Sequence, residues 1–266
     1  MSSRYYFLIF FILLLKLNVI ASNYRAIYDY EYTKDSINSI IGKDILYLDI
    51  SDKNSFCFSY YTFQTDSLRS TPNGRVLWGQ LFSAAIIKDG VNATAFPHRR
   101  STFKITKFNN NDTVFIKDNI DQDIYLYKTL KNEFNWEITG NIKDINGYES
   151  YEAKCFFHGR EWTVWFTPLI PINDGPWLFC GLPGLILEAK DKNDLFSFRL
   201  IRFTSLQNPI TDWTERGKET NRIKFLKDKY KFYRNYNSLL NAEIGNIVSE
   251  DLDSRYLEGL EPDFKY

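Results

Sequence analysis

Eleven short segments, apolar or alternating in polarity and each closed by turn-forming residues, constrain this chain more than any other feature. They are Ala26 to Tyr32, Ile45 to Ile50, Ser55 to Phe63, Ser101 to Phe108, Thr113 to Ile116, Asp123 to Tyr127, Asn135 to Thr139, Tyr148 to Phe157, Glu161 to Thr167, Leu185 to Ala189 and Leu195 to Thr204. Runs of four to ten residues that alternate or stay apolar between turn-formers are the signature of strands. The connections are mostly too short for parallel crossovers, which need a dozen or more residues, so antiparallel meander pairing is expected. The predicted fold is mainly β: a single curved antiparallel sheet or an open barrel-like meander. With 22 Phe and 18 Tyr the chain has ample aromatic area for such a core.

Two stretches carry helical spacing instead. Trp78, Leu81, Phe82 and Ala85 recur at i, i+3, i+4 and i+7, which predicts one short amphipathic helix over Val76 to Lys88. Near the C-terminus, Ile223, Leu226, Tyr230 and Tyr233 form a stripe, with Lys224, Lys227, Lys231 and Arg234 on the other faces. That basic helix is expected to pack on the sheet with a solvated face, a membrane-surface role being the alternative. Glu250, Asp251, Asp253, Glu258, Glu261 and Asp263 follow it and are placed to screen its lysines.

The first 21 residues read as a cleaved secretory leader. Arg4 supplies the positive start, Tyr5 to Leu15 an eleven-residue apolar run, and Ala21 and Ser22 the small residues of a cleavage site. The run is well short of the ~20 residues that cross a bilayer. An exported protein, periplasmic or secreted, with no membrane span is therefore expected. Residues 22–266 read as one β-rich domain, of which 214–266 is a helical and acidic extension. Without Arg4 and Lys16 there remain 31 basic and 33 acidic residues, a net charge of −2, so nothing favours nucleic acid.

Motifs for chemistry are sparse. The sequence holds no nucleophile elbow, no phosphate-cradling glycine loop and no H-E-x-x-H, and no residue is nominated as catalytic. Only His98 and His158 are available as imidazoles, which argues against a His-based metal site, and no cofactor is expected. Of three cysteines, Cys155 and Cys180 flank two consecutive strands and are candidates for a disulfide, the alternative being three buried thiols with Cys57.

From Trp136 onward an ordered series runs Ile145-Asn146-Gly147-Tyr148, Gly159-Arg160-Glu161-Trp162, Trp165-Phe166-Thr167-Pro168, Ile170-Pro171, Gly175-Pro176-Trp177 and Gly181-Leu182-Pro183-Gly184-Leu185-Ile186. Together with Leu46-Tyr47-Leu48-Asp49-Ile50 upstream, this resembles the GLPGLI family of exported proteins from bacteria of the Bacteroidetes type. The resemblance covers roughly 24–205 and implies export but no reaction. It also marks a departure: many members place a cysteine where Ser150 stands.

Physically, Leu182-Pro183-Gly184-Leu185 fits a type II turn, with proline presetting φ and glycine taking the positive φ. Pro168 to Gly184 reads as a proline-stiffened loop that either buries Trp177 in the core or presents it to a ligand. In the strand after Arg160, Trp162 and Trp165 face opposite ways. Arg160, Trp162, Trp165, Trp177 and Pro183 are thus the candidate binding residues, with Arg160 equally readable as an ion-pairing residue. The function expected is a non-enzymatic binding or carrier protein for an apolar small molecule or lipid. The alternatives are an accessory protein for an outer-membrane transporter or protease partner, and a hydrolase.

Overall fold

The computed structural model describes residues 23–35, 40–90, 96–209, 216–244 and 259–265. The expected leader and the acidic residues 250–258 lie outside the described residues. All eleven expected strands form. β1 (Asn23–Asp35), β2 (Ile40–Ile50), β3 (Asn54–Ser59), β4 (Lys104–Phe108), β5 (Thr113–Ile120) and β6 (Asp123–Leu130) make one antiparallel meander. A second consists of β7 (Glu137–Ile145), β8 (Tyr148–Phe157), β9 (Arg160–Thr167), β10 (Leu185–Asp191) and β11 (Phe196–Leu206). The two merge where β11 runs antiparallel to β1, from Asn23 opposite Leu206 to Tyr32 opposite Phe196.

The strand order is β12-β6-β5-β4-β3-β2-β1-β11-β10-β9-β8-β7. The two-residue β12 (Lys218–Glu219) lies parallel to β6, so the sheet is mixed at this edge rather than antiparallel throughout. β6 and β7 stand ten strand spacings apart in that order, about 48 Å if the sheet were flat. Only 131–136 connects them, a reach of at most ~25 Å. The sheet must therefore curl until its two margins approach. It does not close into a barrel, because β6 and β7 share no ladder.

Alternation decides what the curl encloses. Tyr28 and Tyr30 of β1, Leu46 and Leu48 of β2, Ile116 of β5, Ala153 and Cys155 of β8, Trp162, Val164 and Phe166 of β9, and Phe196 and Phe198 of β11 all point inward to one buried cluster. Positions between them face outward, where Arg25 grips the buried Asp49 at 2.5 and 2.7 Å. Inside, the Tyr28 hydroxyl donates to the Ile186 carbonyl at 2.8 Å, tying β1 to β10.

Among the described residues, three α-helices flank the sheet. The expected strand to Phe63 stops at Ser59, whose hydroxyl accepts from the Thr62 amide at 3.1 Å and so caps α1 (Tyr60–Arg69). Thr71 caps α2 (Pro72–Asp89) in the same way, with Pro72 in the first turn, where a missing N–H costs nothing. Two helices thus stand where one was expected. α3 (Arg222–Ile244) is the expected C-terminal helix, anchored by the buried Phe225 against Tyr125 and Tyr127 at 5.6 and 5.0 Å. Its inward face is turned from the expected stripe: Phe225 and Lys229 join Leu226 and Tyr230, while Lys224, Lys227 and Lys231 are exposed. Among the described residues no helix is long and apolar enough to cross a membrane.

Candidate functional site

The long loop between β9 and β10 fills the inside of the curled sheet. Its residues Asp174 to Cys180 are all buried. Lys107 of β4 points inward like Ile105 before it, and its ammonium is the loop's anchor. Nζ pairs with the Asp174 carboxylate and donates to the carbonyls of Gly175 (2.8 Å), Trp177 (3.2 Å) and Phe179 (3.0 Å). A buried ammonium is tolerated when its charge is paired and its donors are used, and here both conditions are met. Trp177 sits at φ 52°, a left-handed conformation costly for a bulky side chain. It is held there by the Lys107 contact at its carbonyl and by its own amide donating to Cys57 Sγ at 3.3 Å.

Beside this plug a cavity of about 530 Å³ opens beneath α3 and the C-terminal segment. That size lies in the range of small-molecule sites. Ile105, Ile116, Trp177, Leu178 and Phe196 form its apolar floor on the sheet and plug, and Leu226 and Phe264 close it from above. Charged groups are prominent in its lining: Lys34, Arg100, Asp118, Lys229, Arg234 and Glu261. The Asp118 carboxylate accepts from Thr102 Oγ1 (2.5 Å) and Lys229 Nζ (2.6 Å). Burial lowers the Lys229 pKa, but attraction to Asp118 and their hydrogen bond outweigh it and leave the value raised. Burial also pushes the Tyr30 and Tyr127 phenols well above their ordinary value, so both line the cavity as neutral groups. Tyr32, Lys34 and Arg100 stand where β1 ends and contribute to its wall.

The candidate binding residues do not gather at this cavity. Trp177 lines it; Trp162 lies behind in the core, packed on Phe179 at 4.9 Å. Trp165 faces the opposite side of the sheet, half-buried, with Lys143 Nζ 4.3 Å from its ring centre. Pro183 is exposed on the turn into β10. That turn is not type II: the Gly184 amide bonds the Leu182 carbonyl at 2.8 Å, while the Leu185 amide is taken by Ile170 at 3.0 Å. Arg160 is an ion-pairing residue, buried 3.0 Å from Asp191 Oδ2. It also donates to the Gly259 carbonyl at 2.6 and 3.1 Å and so holds the C-terminal segment over the cavity.

The Cys155–Cys180 disulfide does not form. All three cysteines are free and buried, Cys155 opposite Trp162 on the β8–β9 ladder and Cys180 on the plug near the Lys131 carbonyl. Burial pushes the Cys57 and Cys155 thiols up to about 12 and Cys180 to about 11, so each acts as a small hydrophobe.

Residues beyond the sequence-derived candidates complete the site. His158, in the β8–β9 turn, has Nε2 2.8 Å from Glu133 Oε2 and Nδ1 2.6 Å from Glu261 Oε2. Arg222 at the start of α3 reaches Glu261 at 3.1 Å and Asp263 at 2.6 Å. This clasp seats Phe264 in the cavity roof. Its members are scattered from 133 to 263, and no local pattern joins them; the acidic tail was the sole signal in the sequence.

A protein family described as being of unknown function, Porph_ging, matches residues 158–188, which span β9, the plug and the start of β10. No curated protein matches the chain. Among solved structures, PNGF-II in its P21 crystal form is similar with 12% identity and a TM-score of 0.53 over 79% of this chain. The C2 form gives 11% identity and 0.54 over 80%. This chain spans 33% of the length of PNGF-II in both, and the likeness is one of fold.

Proposed function

We propose that this chain is an exported, non-enzymatic binding protein that carries an apolar or amphipathic molecule of lipid size in the cavity beneath α3. The cavity carries the reading: an apolar floor under a roof of one helix and one short segment, with the charged residues Lys34, Arg100, Asp118, Lys229, Arg234 and Glu261 in its lining, suits a molecule with an apolar body and a polar end. The roof is held by ion pairs and short contacts rather than by strands, so it is the part able to open. Export is supported by Arg4, the apolar run Tyr5 to Leu15 and the small residues after it. The series of motifs ending in Gly181-Leu182-Pro183-Gly184-Leu185-Ile186 supports kinship with the GLPGLI family.

The test is native mass spectrometry of the chain purified without detergent from its host, beside a Leu226→Trp variant that fills the cavity from the roof. A discrete added mass on the wild type that the variant lacks is the expected result. A bare wild-type chain that also fails to take up a fluorescent fatty acid overturns carriage.

A further inference from the structure

On the outer face of the sheet, β4 and β5 set two lysines directly opposite each other. Lys104 and Lys117 are partners in the antiparallel ladder, and the next rung pairs Ile105 with Ile116, which point inward. Like charges at facing positions of a ladder repel. Lysines at a surface relieve such repulsion by carrying their ammoniums out into water. These two are covered instead: Lys117 is 3% exposed and the Lys104 side chain 12%. Thr62 and Asp66, one turn apart on α1, lie over them.

The pair lines a cavity of about 180 Å³ between α1 and the sheet, separate from the one beneath α3. Asn119 and Ile124, partners on the β5–β6 ladder, continue its floor, and Arg99 stands at its entrance with a side chain 37% exposed. Among the described residues the lining holds three cations, Arg99, Lys104 and Lys117, against one carboxylate, Asp66, an excess of two positive charges. Asp66 is taken by Arg99 at 2.5 Å, and its other oxygen is 3.9 Å from the Lys104 ammonium. Asp118, next to Lys117 in the chain, points to the opposite face, where it binds Thr102 and Lys229. Burial and the Lys104 charge push the Lys117 ammonium down to about 8, with Asp66 opposing, which leaves it mostly protonated at neutral pH.

Ammoniums held together in a small polar space form a site for an anion, which lysine binds as a compact charge with three donors. Size and charge narrow the class. The volume is below the ~300–1,000 Å³ of sites for drug-sized molecules, and two excess charges match a dianion. We propose that the space between α1, β4 and β5 binds a tetrahedral oxyanion of the phosphate class, held by Lys104 and Lys117 with Arg99 at the entrance. The two ammoniums donate to its oxygens, and its charge offsets their repulsion across the ladder. The site is on the other face of the sheet from the cavity beneath α3, with Thr102 bordering both, and it holds whatever that cavity carries.

The test is isothermal titration calorimetry of the chain, in the form its host accumulates and purified in chloride, with inorganic phosphate at constant ionic strength. Thermal melts accompany it. Wild type is expected to bind one phosphate and to melt higher as phosphate is added. Lys104→Met and Lys117→Met each lower the affinity by at least about tenfold, whereas Lys190→Met, on β10 with its ammonium 56% exposed, leaves it unchanged. The melts give a second reading. Without phosphate, Lys117→Met removes the repulsion and melts at or above the wild-type temperature; with phosphate, only the wild type gains. Glycerol phosphate in place of inorganic phosphate distinguishes an ester from the free ion, and binding of either supports the site. Absence of binding of both to the wild type overturns the proposal, as does binding that neither lysine variant weakens or that Lys190→Met weakens equally.

Discussion

Lys107 on β4 and Asp174 in the β9–β10 loop form an ion pair sealed inside the sheet, their side chains 2% and 9% exposed. Removing one partner of such a pair leaves the other charged without compensation, which costs on the order of 3–5 kcal/mol. Lys107→Met is expected to lower the urea unfolding free energy by that amount. Adding Asp174→Asn recovers part of the loss, and a double variant no more stable than the sum of the two single losses would show that the charges are not coupled.

Gly184 is required by space. Its φ is 158°, and a Cβ there would collide with the Thr167 carbonyl where the end of β9 meets the turn into β10. Backbone cannot swing aside as a flexible side chain can. Gly184→Ala is expected to cost about 1–3 kcal/mol, whereas Ala at Gly79, whose added Cβ meets nothing within 4 Å and which lies within α2, is neutral or stabilising. Thermal melts of the two variants check the contrast.

The thiols give a direct count. With Cys57, Cys155 and Cys180 all buried and their pKa values pushed to about 12, about 12 and about 11, a thiol reagent at neutral pH should leave the folded chain unlabelled. In denaturant without reductant it should label all three. A single labelled thiol under those conditions would mean that a disulfide is present.

The His158 clasp ties stability to pH. Burial lowers the His158 pKa, but its contacts with Glu261, and behind them Glu133, outweigh that and leave it raised despite the opposing charge of Arg222. The folded state thus favours the protonated ring, and this contribution is complete below the unfolded value and lost as pH rises through the raised one. Burial raises Glu133 and Asp263; hydrogen bonds, from Thr129 and His158 to the first and from Arg222 to the second, reverse that and leave both lowered. Their contribution is present above the ordinary carboxylate range and lost as pH falls through the lowered values. The stability gap between wild type and His158→Gln should therefore be widest between roughly pH 5 and 6 and shrink toward alkaline pH. A gap that is flat across the titration would remove the ring's charge from the account.

The strands were legible because one side of the sheet is buried, so polarity alternates with the pleat, as it does from Tyr151 to Cys155 in the middle of β8. Where aromatic residues crowd both faces, the pattern misleads. Tyr60 to Phe63 continues an apolar run, yet Ser59 caps a helix there, and Trp165 looks inward-capable though it lies on the outer face. Lys107 occupies an inward position in step with Ile105, but its partners are 67 to 72 residues away in a loop whose sequence reads only as punctuation. The cavity is less visible still, since it is the space left between α3, the sheet and a returning C-terminal segment.

The joining of β1 to β11 has a consequence for the order of folding. Asn23 meets Leu206 across 183 positions, so the first strand of the fold has β2 on one side but waits for nearly the whole chain to find its other neighbour. Until β11 is made, β1 is an open edge rich in tyrosine, the kind of edge that recruits strands from other chains. Closure of so long a loop is slow compared with hairpin formation. The N-terminal meander is therefore the half at risk during synthesis, and completion of the fold is set by the arrival of its second-last strand.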